Sequence, residues 1–297
     1  MQELEKMTAQ VEVRNAKKMS KEKWEKLTLA NGFIFSKVML NEEICKKMIE
    51  ELTDLPPIDY IEYIEAEKTI DLRVDSKSVR LDVYVQDGKG TVYNIEMQAV
   101  DTKELRERSR YYQSVIDLDL IDKGEDYINI SDSYVIFISQ DDIFNRGLIR
   151  YTFKNRCMEL DDLALEDGTT KIFLNSKGTI GKISEDARSF LSYLEGQKSN
   201  NQFVKLLEKE VSKVKSNKKW RAEYVKQNVH DMLNIRKGIE LGIEQGIERG
   251  IERGIEQGAY EKAVEVAKKL LSSDVSKEII AEVSGLPLEA IESLEAK

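Results

Sequence analysis

Histidine is almost missing from this 297-residue chain. His230 stands alone, which rules out a His-based nuclease and a three-histidine zinc centre within one chain, and it reads as an ordinary surface or interface imidazole. Cysteine is nearly as scarce. Cys45 and Cys157 are too few and too isolated for a disulfide framework or a zinc cluster, and suit two buried or half-buried thiols in a reducing cytoplasm. No apolar run approaches the roughly 18 residues of a membrane-spanning helix, and the N-terminus lacks the apolar stretch of a signal peptide, so neither a membrane span nor secretion is expected. An excess of basic charge is lacking too. Against 55 Asp and Glu stand 46 Lys and Arg, a formal net charge of −9, so any contact with nucleic acid must come from local clusters. That weighs against a protein that coats DNA, and less against one that cuts it. What remains, 41% hydrophobic and 34% charged residues, fits a globular core under a highly charged surface.

The stretch 80–98, RLDVYVQDGKGTVYNIEMQ, has the strongest local pattern. Leu81, Val83 and Val85 alternate with Arg80, Asp82, Tyr84 and Gln86. Beyond Asp87-Gly88-Lys89-Gly90, Tyr93, Ile95, Met97 and Ala99 alternate with Asn94, Glu96 and Gln98. Period-two patterning on both sides of an Asp-Gly turn predicts a β-hairpin with one face on a core. A Gly88-Lys89-Gly90 loop sets Asp82 opposite Glu96 and Arg80 opposite Gln98. Side chains so opposed lie about 5 Å apart at Cβ, and two carboxylates that close repel unless a cation or a shared proton offsets them. Two readings stand side by side: a solvated face neutralised by Arg80 and Gln98, or a divalent-metal site. Two oxygen donors suit Mg²⁺, which keeps water or phosphate oxygens as its other ligands. Gln98 projects from the same face, where an amide can orient a water or a phosphoryl oxygen.

The Asp-x13-Glu-x-Gln pattern, followed by a helix with Arg and Tyr-Tyr, resembles the PD-(D/E)XK nuclease superfamily. More narrowly it is similar to the recombination-promoting nuclease (Rpn) family, whose members are also described as transposases. The matching segments are SVRLDVYVQD (78–87), YNIEMQ (93–98) and RSRYYQSVIDLDLIDKGEDY (108–127), within 33–224. The resemblance implies a Mg²⁺- or Mn²⁺-dependent DNA endonuclease acting on double-stranded DNA, with Asp82 and Glu96 as metal ligands and Asp82, Glu96 and Gln98 as the catalytic set. The backbone carbonyl after Glu96 completes the coordination in this reading. Gln98 in place of a lysine departs from the superfamily but not from this branch, and leaves open any mechanism in which lysine activates the attacking water. Some relatives place a third acid on the first helix, for which Glu42, Glu43 and Glu50 are candidates, with surface charge as the simpler account of each.

Around the hairpin, residues 1–30 read as a charged lead-in and 31–230 as the nuclease-like domain. Asn31 to Leu55 carries helical periodicity, with Asn41 as a cap and Pro56-Pro57 as a stop. Ile58 to Val74 gives one long strand or two short ones, and Asp75–Ser78 a turn. A helix over 102–123 is capped by Asp101 or Thr102, with Glu104 as in a capping box, and stopped by Gly124. Tyr134–Ser139 reads as a central strand. The order αβββαβ, a mixed α/β sheet with helices on its faces, is the restriction-endonuclease-like core of the superfamily. On the 102–123 helix Arg106 and Arg110 share a face, and two readings are open: aimed at the hairpin mouth to hold DNA phosphates with Arg80 and Tyr111 or Tyr112, or solvated arginines, some paired with Glu104 or Glu107, on an amphipathic helix with its tyrosines in the core. Ser109 and Gln113 flank that stripe. Strands within 143–153 and 171–174, a helix over 185–195 and a long helix over 201–229 follow. Lys205 to Arg221 on the last reads either as a solvated face or as a phosphate-tracking one.

At Gly238 the composition changes to five tetrads, GIEL-GIEQ-GIER-GIER-GIEQ, closed by Gly258. Each Gly costs a helix roughly 1 kcal/mol, so the tetrads are not expected to form a stable helix on their own, and 231–258 reads as a helical linker or an oligomerisation segment. Self-association through close-packed helices, giving a homo-oligomer through 238–258, and a semi-flexible linker are both open. Residues 259–297 resume amphipathy as a small helix-turn-helix-like module whose last helix, with Glu289, Glu292 and Glu295, is too acidic to read DNA. The reading that follows is a cytoplasmic metal-dependent DNA endonuclease serving recombination or a mobile element. The competing one is a nuclease-like interaction protein with a weakened site that oligomerises.

Overall fold

Short polar caps set where the first helices start. The computed structural model of the chain describes residues 2–53, 55, 57–70, 79–100, 102–273 and 275–295, with side chains from 13 to 294. After α1 (Gln2–Lys26), the Asn31 side chain accepts from the Ile34 N–H at 3.4 Å to open α2 (Gly32–Val38), and Asn41 accepts from Ile44 N–H at 3.3 Å to open α3 (Glu42–Thr53). Pro56 lies outside the described residues. Ile58 to Ile70 gives one strand, β1 (Ile61–Ile70), while the expected turn over 75–78 also falls outside them. The hairpin is β2 (Val79–Asp87) and β3 (Val92–Gln98). Asp87 Oδ1 takes the N–H groups of Lys89 at 2.9 Å and Thr91 at 3.0 Å, and Gly90, at φ +84°, supplies the left-handed residue the turn needs. Val83 therefore faces Ile95 and Tyr84 faces Asn94, the register expected from that loop.

The next helix is shorter than expected. α4 spans Leu105–Asp119, with Glu104, not Thr102, at the N-cap position and no side-chain cap bond. Asp101 is outside the described residues, and the helix ends before Gly124. β4 (Ser133–Ser139), β5 (Arg150–Phe153), β6 (Thr169–Asn175) and α5 (Glu185–Leu194) follow. The single helix expected over 201–229 is broken. α6 (Gln202–Ser216) stops at Asn217, whose side chain accepts from Lys219 N–H at 2.9 Å and Trp220 N–H at 3.2 Å to open α7 (Lys218–Leu271).

The sheet order is β1-β2-β3-β4-β6-β5. β4 pairs parallel with β3 and β6, and the other neighbours are antiparallel. α3-β1-β2-β3-α4-β4 is the αβββαβ core expected. One face packs on α2, α3, α5 and α6 through Ile34, Phe35, Met48, Phe190 and Leu207, all buried. The other packs on α4 through Leu105, Tyr112, Val115 and Ile116. Trp24 of the lead-in is fully buried, 5.3 Å from the Tyr224 ring and 6.0 Å from the Phe33 ring, so that segment's end belongs to the core. Part of the basic run on 205–221 is spent internally: Lys215 donates to the carbonyls of Glu25 and Leu27, Lys213 pairs with Glu210, and Arg221 with Glu25.

The chain divides into two units, Met1–Gln227 and Asn228–Lys297. In the second, Ala267 of α7 packs with Ile280 of α8 (Lys277–Ser284), Leu286 and Ile291 of α9 (Leu288–Glu295). Gly285, at φ +71°, closes α8 in the left-handed conformation. Ile279 and Val283 of α8 are exposed. The tetrads lie within the continuous helix α7. A glycine penalty of roughly 1 kcal/mol is graded, not absolute. Glu, Gln and Arg between the glycines favour helix, and side-chain pairs four apart such as Arg236–Glu240 and Gln257–Glu261 flank the repeat at 3.0 Å each.

Candidate active site

Beyond the Val83–Ile95 pair the two hairpin strands stop bonding as a ladder, and two carboxylates take over. The Asp82 N–H donates to Glu96 Oε1 at 3.0 Å, and the Met97 N–H donates to Asp82 Oδ2 at 3.0 Å. Each acid thus reaches across to the opposing backbone, and both fill the space where the strands part. Glu96 is almost fully buried and Asp82 half-buried. Asp82 and Glu96 therefore converge as expected, but the Arg80–Gln98 pairing does not form.

Arg108 of α4 closes the site from above. Its guanidinium donates to Gln98 Oε1 at 2.9 Å and to the Tyr112 hydroxyl at 2.9 Å, and lies 3.4 Å from Glu96 Oε2. It also lies over the rings of Tyr112 and Phe137, which fixes its plane. The Gln98 amide is held at both ends, its nitrogen donating to the Val100 carbonyl.

Asp82 has further neighbours. A Cβ added to Gly32, the first residue of α2, would sit 3.4 Å from Asp82 Oδ2. Across β1, between the pairs Ala66–Val83 and Lys68–Leu81, Glu67 occupies the left-handed region at φ +59°, a strained conformation for glutamate within a strand. Its carboxylate takes hydrogen bonds from Lys37 and Gln227 at 3.1 Å each, and Arg80 lies 3.9 Å away. The third acid beside the pair is Glu67 from β1. Glu50 is engaged instead with the Ile58 N–H at 2.8 Å, and Glu42 acts on the Cys45 thiol.

Electrostatics here is unfavourable to two negative charges. Burial, then the Asp82 charge, push the Glu96 carboxyl up to about 8, against the lowering from the Asp82 N–H and Arg108. Burial pushes Asp82 up to about 6, with the Met97 N–H, Arg108 and Arg80 opposing it and Glu67 assisting. Among the described residues no cluster of three or more His, Cys, Asp or Glu side chains is arranged to hold a metal. The pair fits a hard divalent cation that takes two carboxylates and keeps water or phosphate oxygens, because such a cation would offset the burial that raises both groups and the Asp82 charge that raises Glu96 further. Asn94, buried two residues before Glu96, adds a smaller lowering contribution to the Glu96 carboxyl.

Four of the residues named from sequence gather differently from expectation. Arg80, Arg110 and Tyr111 line one recess of about 450 Å³ with Arg108 and Tyr112. Arg106 turns away, donating to the Ile143 carbonyl at 2.8 Å with its guanidinium 4.8 Å from the Phe144 ring. Arg106 and Arg110 do not aim at the hairpin mouth because Ser109 and Gln113 are buried, which rotates the helix and brings Arg108 inward. Helical spacing alone ranks no arginine over another. The usable signal was Tyr112 four residues after Arg108, an apolar anchor placing its neighbour on the strand side.

A profile of the family described as PD-(D/E)XK nuclease family transposase matches residues 32–235. No curated protein and no solved structure matches the chain.

Proposed function

Since the chain belongs to the PD-(D/E)XK nuclease family transposases, we propose that it hydrolyses DNA phosphodiester bonds with a divalent cation, Mg²⁺ or Mn²⁺, held by Asp82 and Glu96. The observation that carries this reading is the reciprocal bonding of the two carboxylates at the parting of β2 and β3, under Arg108. When bound, the cation supplies Lewis-acid activation of water and neutralises charge on the phosphate. Arg108 places a fixed guanidinium at the mouth, where it complements negative charge growing on phosphate oxygens. Gln98, oriented by Arg108 and the Val100 carbonyl, positions rather than deprotonates, since an amide has no useful basicity. Arg80, Arg110 and Tyr111 guide the backbone through the adjoining recess. The unpaired Cys45 and Cys157 suit a reducing compartment such as the cytoplasm, and cut ends there would feed recombination or a mobile element.

Supercoiled plasmid nicking tests this. Wild type should relax the plasmid only with divalent cation, and Glu96→Ala should lose at least about a hundredfold in rate. Equal nicking by both proteins would remove the assignment. A second reading, a non-cutting interaction protein, draws on the exposed isoleucines Ile239, Ile243, Ile247, Ile251 and Ile255 of α7. An intact plasmid with wild type under every divalent cation would favour it.

A further inference from the structure

On the far side of α4 from the carboxylates lies a second recess, of about 570 Å³, between α4 and the β5–β6 edge of the sheet. That is within the size range of small-ligand sites. Phe144, Phe153 and the buried Phe173 form its aromatic wall, with ring centroids 5.1 to 5.7 Å apart. Phe153 is 44% exposed, a large aromatic face left open to solvent. Arg106, stacked on Phe144, extends the wall with a flat cation. Arg110, Lys154 and Lys171 complete a rim of four cations on a chain whose net charge is −9. Nearby acids are engaged with neighbours. Asp167 accepts from Asn155 at 2.6 Å and from the Thr169 N–H at 3.2 Å, and Asp117 accepts from Gln113 at 2.9 Å, its carboxyl raised by burial against the lowering from Gln113 and Lys171.

Open aromatic faces ringed by cations match one ligand chemistry well: a planar base carried on an anionic backbone. A paired base cannot offer its face, because both faces are stacked in the duplex. Arg110 lines this recess and the carboxylate-side recess alike, so one strand passing over α4 would touch both. We infer that the recess beside β5 and β6 receives an unpaired nucleotide of a DNA strand crossing α4 from the carboxylate groove, so that the substrate is duplex DNA with a single-stranded arm. The choice of DNA rests on the nuclease reading above. A helix with its side chains is about 10 Å across and a stacked strand rises about 3.4 Å per nucleotide, so the arm must extend about three to five nucleotides.

The test is equilibrium binding of the full chain, in EDTA so that nothing is cut, to fluorescent duplexes that are blunt, carry such an unpaired DNA arm, or carry the same arm in RNA. Wild type should bind the DNA arm about 5- to 100-fold tighter than the blunt duplex. Phe153→Ala should abolish that difference and leave blunt binding unchanged. Lys154→Gln, at an exposed site that cannot threaten folding, should lower arm binding selectively and flatten its salt dependence. Equal affinity for blunt and armed DNA, uniform weakening by either variant, or tighter binding of the RNA arm would overturn the inference. The two readings separate cleanly. Plasmid nicking without arm preference sinks the recess alone, while arm preference in a protein that never cuts sinks the nuclease alone.

Discussion

At Glu96 two effects oppose ionisation, burial and the Asp82 charge, and their consequence is a pH dependence of the metal-free protein. Its folded-state value of about 8 lies above the ordinary 4.5, and that of Asp82, about 6, lies above 3.8. The folded protein therefore holds more protons than the unfolded chain between those limits, and stability falls as pH rises through them. In EDTA the melting temperature should drop from about pH 5 to pH 8, the loss from Glu96 being on the order of a few kcal/mol. Glu96→Gln should flatten that slope, and Mg²⁺ should restore stability at the alkaline end. A wild-type profile rising over that window would contradict the buried acid pair. Arg108 belongs to the same balance. Arg108→Met should slow single-turnover cleavage by about 10² to 10³, the scale for removing one donor aimed at developing charge. Arg108→Lys should recover only part, because an ammonium is a point charge and cannot span Gln98, Tyr112 and Glu96 together. Full rescue by lysine would reduce Arg108 to a simple counter-charge.

For the hairpin, the turn chemistry was enough. Asp87-Gly88-Lys89-Gly90 has one economical closure, and alternation on either side then fixed which residues oppose. Gly90→Ala tests the turn itself. At φ +84° the added Cβ is strained and meets Ser131 Oγ at 3.3 Å, so the urea midpoint should fall by the equivalent of about 1 kcal/mol while the nicking rate stays near wild type. A large loss of activity with normal stability would show that the turn does more than set register. What the pattern did not reveal is the interruption of the ladder at Asp82 and Glu96, since a side chain replacing a backbone partner leaves no trace in periodicity. Glu67 was hidden for a related reason. The partners of its carboxylate, Lys37 and Gln227, are distant in sequence. The facing of α4 is not legible in the pattern because its inward face carries Ser109 and Gln113, polar residues that hydrophobic periodicity assigns to solvent.

At the level of the whole chain, the family match ends at residue 235, just before the first tetrad at Gly238. The repeat is therefore an addition to the nuclease fold, and its surface is unusual for a segment with no duty to a partner. Ile239, Ile243, Ile247, Ile251 and Ile255 are each 58–68% exposed, and a Cβ built on any of the tetrad glycines meets nothing within 4 Å. Residues four apart drift slowly around a helix in the right-handed sense, so isoleucine and glycine form two winding stripes side by side. A second copy of the helix could bury the first and approach closely along the second. Light scattering should then give a multiple of the monomer mass for the full chain and the monomer mass for residues 1–236. Replacing Gly242, Gly246, Gly250 and Gly254 by alanine separates packing from mere helix content. Each change should strengthen the helix by about 1 kcal/mol, yet association should weaken because the added methyl groups hold the two backbones apart. If alanine strengthens association along with helicity, the glycines serve no close contact, and if both lengths of chain have the same mass, the repeat is not where the subunits meet.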